Sequence, residues 1–75
     1  MTAQEIFEKL GFNQIENNSM FISYYKETEY EEITIAFSKT YKELCIYNGF
    51  NHSVWIKYEW FNAIKQQMIE LGWIK

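Results

Sequence analysis

The chain has 75 residues, of which 48% are hydrophobic and 20% aromatic, with one cysteine, no proline and a net charge of −3. That is a single domain, residues 1–75, near the lower size limit for a core that orders without disulfides or metal, but with enough apolar and aromatic matter to do so. All seven cations are lysines, at positions 9, 26, 39, 42, 57, 65 and 75; they form no stripe and offer no guanidinium fork for phosphate or guanine, so nucleic-acid binding is not expected.

Thr2-Ala3-Gln4-Glu5 reads as a capping box, in which the Thr2 hydroxyl accepts from the Glu5 amide while the Glu5 carboxylate reaches back. Ala3, Ile6, Phe7 and Leu10 then recur at helical spacing, predicting a helix over about residues 3–10. Gly11 is the stop, in the left-handed conformation that a residue without Cβ takes at little cost, and Phe12 folds back onto Phe7.

From residue 12 to 56 the period shifts toward two. Gln14 to Asn17 reads as a short edge strand, and Asn17-Asn18-Ser19 as a turn. Met20 to Lys26 is rich in strand formers yet apolar on both sides, with Met20, Ile22 and Tyr24 on one and Phe21 and Tyr25 on the other, so its core face stays open. In Glu31 to Ser38, by contrast, Ile33, Ile35 and Phe37 alternate with Glu32, Thr34, Ala36 and Ser38, the pattern of a half-buried antiparallel strand. A polar turn leads to Glu43 to Tyr47, where Leu44 and Ile46 alternate with Cys45 and Tyr47; the loop 48–52 follows, and Ser53 to Ile56 is either a short extended piece or the run-in to a helix.

A second helix starts near Lys57 or Tyr58 and runs to Leu71. Trp60, Phe61, Ile64, Met68 and Leu71 fall within about 100° of arc on its wheel, while Tyr58 and Ile69 lie on the far side. It closes as the first does, with Gly72 followed by Trp73. The fold expected is α+β: a two-layer α-β-β-β-α arrangement, an antiparallel meander of three or four strands with both helices on the face carrying Ile33, Ile35 and Phe37. The opposite face takes Thr34, Ser38 and some of Tyr24, Tyr25, Cys45 and Tyr47.

No constellation of residues points to chemistry, and the chain is read as not an enzyme, with no cofactor and no metal. His52 is the only histidine; with Cys45 it supplies two ligands where a structural zinc needs four, and an exposed loop residue is the simpler reading. Cys45 in a strand lacks the helix N-terminus or cation that activates a thiolate. Glu27, Glu29, Glu31 and Glu32 cluster around Tyr30 between strands, where no cleft raises a carboxyl pKa; they form a solvated turn that can also dock on a basic partner. Gly11, Gly49 and Gly72 stand apart, so no phosphate-cradling loop exists. With one thiol, no basic-then-apolar start and no run approaching a membrane span, the expectation is a cytoplasmic protein that does not enter a membrane.

What remains is the aromatic surplus. Fifteen aromatics exceed what so small a core encloses, so some of Tyr24, Tyr25, Tyr30, Tyr41, Tyr47, Phe50, Trp55 and Tyr58 should reach the surface, where tyrosine and tryptophan mark interfaces. The candidate partner-binding residues are Tyr24, Tyr25, Tyr30, Tyr47 and Trp55, and the expected partner is another protein or a second copy of the chain.

The opening Thr2-Ala3-Gln4-Glu5-Ile6-Phe7-Glu8-Lys9-Leu10-Gly11-Phe12, the strand Ile33-Thr34-Ile35-Ala36-Phe37 and the ending Ala63-Ile64-Lys65-Gln66-Gln67-Met68-Ile69-Glu70-Leu71-Gly72-Trp73-Ile74 resemble small uncharacterised phage and prophage proteins of low-GC Gram-positive bacteria. Lys57 departs from the threonine those proteins carry as the cap of the last helix. The resemblance implies a phage accessory protein and no catalytic or binding residue. The function expected is therefore a non-enzymatic protein-protein interaction module or modulator; the alternative is an acidic inhibitor that mimics nucleic acid toward a host enzyme.

Overall fold

A computed structural model describes residues 1–50 and 53–74. The element order is α1 (Ala3–Lys9), β1 (Asn13–Asn17), β2 (Phe21–Glu27), β3 (Glu32–Ser38), β4 (Glu43–Asn48) and α2 (Tyr58–Glu70). The strands form one antiparallel sheet in the order β1-β2-β3-β4, so each neighbour in sequence is a neighbour in space. The architecture is α+β, and residues 53–56 join no strand.

Both helices end in the same way. Phe12 N–H donates to the Phe7 carbonyl at 2.9 Å and Gly11 N–H to Glu8 at 3.0 Å; Trp73 N–H donates to Met68 at 2.9 Å and Gly72 N–H to Ile69 at 3.0 Å. Gly11 and Gly72 hold φ of 93° and 78°, the left-handed turn this double bond pattern requires. The turn carries each aromatic back into the core, with Phe12 edge-on to Phe7 at 5.6 Å and Trp73 beside Phe37 at 6.1 Å. At the start of α1 the capping box is formed, and the Glu70 carboxylate of α2 also accepts the Ala3 N–H at 2.7 Å, tying one helix's first turn to the other's last. Lys57 caps α2 without a side-chain bond.

The core lies between the helices and one face of the sheet, where β2 contributes Ile22 and Tyr24 and β3 contributes Ile33, Ile35 and Phe37. Tyr24 stacks on Phe7 with ring centres 4.0 Å apart, Phe37 meets Phe7 edge-on at 6.3 Å, and Phe12 meets Trp60 edge-on at 5.5 Å. Lys26 stands at the margin of this face, its ammonium donating to the Leu10 carbonyl at 2.9 Å and lying 5.7 Å from the centre of the Phe12 ring. It supplies a cation to the last turn of α1, where the helix dipole favours one.

Two expectations about facing residues are corrected. Phe61 does not join the buried stripe of α2 and is 57% exposed; the buried residues are Trp60, Ala63, Ile64 and Gln67, which turns the stripe away from Phe61. Gln67 is buried because the Tyr24 hydroxyl donates to its side-chain oxygen at 2.5 Å, while the Gln14 amide donates to that hydroxyl at 3.4 Å. A polar residue can occupy the centre of an apolar stripe when its partner comes from the opposing layer. Met20, for its part, precedes β2 and is exposed, leaving Ile22 and Tyr24 to define the inner face.

Candidate functional site

Among the described residues no helix covers the second face of the sheet. The register sets its side chains in rows across three strands: Phe21, Ser38 and Glu43; Ser23, Ala36 and Cys45; Tyr25, Thr34 and Tyr47; and, at the end, Glu27 opposite Glu32. The middle row is small, so the face is shallow there and rises at the tyrosine row. One flank is closed by β1, whose register skips Ile15 between Gln14 and Glu16. That bulge brings Glu16 opposite Ser23, whose hydroxyl donates to the carboxylate at 3.0 Å, and Ser23 is buried although it lies on the open face.

The tyrosine row and the acidic turn meet at one end. Glu27 and Glu32 are direct register partners, a like-charge pair that costs stability in the free sheet. The next turn, 28–31, is held by the Thr28 hydroxyl, which accepts the Tyr30 and Glu31 amides, and it projects Tyr30 beyond that pair. Tyr25 is half-buried and its hydroxyl donates to Glu27 at 3.4 Å. Its pKa is raised above 10.0, first by the neighbours that shield it from water and then by the Glu27 and Glu32 carboxylates. Tyr47, across Thr34, is 61% exposed. Gly49 closes this corner, since its amide donates to the Glu32 carbonyl at 2.8 Å and a Cβ there would meet the Glu32 carboxyl carbon at 3.0 Å.

Of the five candidate residues, the structure gathers Tyr25, Tyr30 and Tyr47 at this end of the sheet. Tyr24 leaves the set: it is 1% exposed, and its ring serves the core and its hydroxyl Gln67. Neighbouring residues in a strand point to opposite faces, so one of the pair Tyr24 and Tyr25 must be inward, and the aromatic face of α1 selects Tyr24. Trp55 is exposed but sits in the irregular run before α2, outside the sheet. Cys45 is a free exposed thiol in the small-residue row, and His52 lies outside the described residues. Among the described residues no group of three or more His, Cys, Asp or Glu is placed to hold a metal ion, and no helix is long and apolar enough to cross a membrane.

A separate groove runs between the outer sides of the helices, with Met1, Ile6 and Leu10 against Tyr58, Asn62 and Gln66. No family model, curated protein or solved structure matches the chain.

Proposed function

We propose that the chain is a phage-type accessory protein without enzymatic activity, which docks a lysine- or arginine-bearing segment of a protein partner on the open face of its sheet. The observation that carries this reading is the row Tyr25, Thr34 and Tyr47 bordered by the register pair Glu27 and Glu32. Tyrosine rings bury contact area at low entropic cost and attract cations to their faces. The paired carboxylates repel one another until a cation comes between them, so a basic segment relieves a cost present in the free protein. The free Cys45 thiol fits a reducing compartment such as the host cytoplasm.

The test is capture from a lysate of a low-GC Gram-positive host on immobilised chain, comparing wild type with Tyr25→Ser/Tyr47→Ser, Glu27→Gln/Glu32→Gln and Tyr58→Ser, the last on the remote surface of α2. The expected result is a protein retained by wild type and Tyr58→Ser, lost from the double tyrosine variant and weakened by the glutamines and by salt. Equal retention by all four would refute the reading. Displacement of the captured protein by duplex DNA would favour the nucleic-acid mimic instead.

A further inference from the structure

The two edges of the sheet are built differently. β1 is five residues long, bulged at Ile15 and in contact with α1, three devices that discourage another strand from joining it. β4 is regular through all six of its pairs with β3, contains no lysine and has Glu43 as its sole charge. The hydrogen bond from Gly49 N–H to the Glu32 carbonyl fixes which of its residues bond inward. In an antiparallel ladder hydrogen-bonded pairs alternate, so Glu43, Cys45 and Tyr47 bond to β3, while Leu44, Ile46 and Asn48 turn their N–H and C=O groups to the free edge. On the inner face Ile46 packs against the core and Asn48 is buried, but Leu44 is 38% exposed although it is the register partner of the fully buried Phe37.

We infer that β4 pairs antiparallel with β4 of a second copy about a two-fold axis at Cys45, joining two four-stranded sheets into one of eight. The sequence of β4 is self-complementary in that register. Leu44 faces Ile46 of the second copy in hydrogen-bonded pairs, so each copy covers the other's exposed inner-face leucine. Glu43 faces Tyr47, and Lys42 faces Asn48, so no like charges meet. Cys45 faces its own counterpart in a pair without hydrogen bonds, with Cα atoms about 4.5 Å apart, inside the range a disulfide spans. The pairing leaves the open face uncovered and makes it continuous across both copies, so it goes beyond the docking reading and does not depend on it.

A six-residue strand pair is a small interface, so the dimer is concentration-dependent. The test is sedimentation equilibrium of reduced wild type from micromolar to millimolar concentration, with diamide cross-linking of Cys45 in parallel. The expected result is a mass rising toward twice that of the chain and a disulfide-linked dimer forming over the same range. Leu44→Lys, which sets a lysine on the edge, lowers the association constant and the yield of linked dimer at least tenfold with an unchanged unfolding midpoint, while Cys45→Ser keeps the mass. A monomer throughout the range, or a dimer indifferent to Leu44→Lys whose cysteines do not link, overturns the inference. Capture on the Tyr25/Tyr47 face is scored separately, so either result leaves the other intact.

Discussion

Tyr24 and Tyr25 are consecutive residues of one strand with opposite duties. Tyr24 faces the helices, stacks on Phe7 and closes a hydrogen-bond chain from Gln14 to Gln67. Tyr25 faces away from them, beside Thr34, Tyr47 and two carboxylates. The same side chain holds the fold together on one face and is free to meet a partner on the other. What separates them is the parity of the strand and the presence of an aromatic helix on one side only.

That division is open to several breaks. The largest effect belongs to the inner face: Phe7→Ala removes a fully buried ring that meets Phe12, Tyr24 and Phe37, and should cost about 3–5 kcal/mol in denaturant unfolding, a large part of a small domain's stability. Gln67→Ala takes away the acceptor of the Tyr24 hydroxyl and should cost about 1–3 kcal/mol by the same assay. Gly11→Ala forces a Cβ into φ of 93° and to 3.2 Å from Lys26 Cε, and should cost about 1–2 kcal/mol; Gly72→Ala, with open space around it, should cost less.

A subtler effect comes with pH. Burial raises the Tyr24 pKa above its ordinary 10.0. The folded value exceeds the unfolded one, so this tyrosine's contribution is intact below pH 10 and is lost as pH rises through the folded value, when only the unfolded chain ionises readily. Unfolding free energy measured against pH should therefore decline above pH 10, and Tyr24→Phe should shallow that decline. Tyr25 is raised in the same sense, with Glu27 and Glu32 contributing, so Glu27→Gln should lower its titration midpoint followed by absorbance.

Much of the frame was legible in the chain itself, because local chemistry decides it. The capping box at Thr2 and Glu5, the two glycine stops and the alternation of Ile33, Ile35 and Phe37 all act over a few residues and survive into the fold. What was not legible depends on the opposing layer. β2 is apolar on both sides, and only the position of Phe7 shows which tyrosine turns inward. Gln67 reads as polar surface until Tyr24 is placed opposite it. The bulge at Ile15, the Glu70 bond to Ala3 and the exposure of Leu44 on the inner face of β4 depend on pairing and docking between distant segments. The candidate site was half legible: exposed tyrosines were expected, but the gathering of Tyr25, Tyr30 and Tyr47 beside Glu27 and Glu32 needed the register.

The most direct measurement is the unfolding free energy of Tyr24→Ser set against that of Tyr25→Ser under identical conditions. If one face holds the fold and the other is free for a partner, Tyr24→Ser loses about 3 kcal/mol or more while Tyr25→Ser loses less than about 1 kcal/mol. Equal losses, or a larger one at Tyr25, would contradict that division of the sheet.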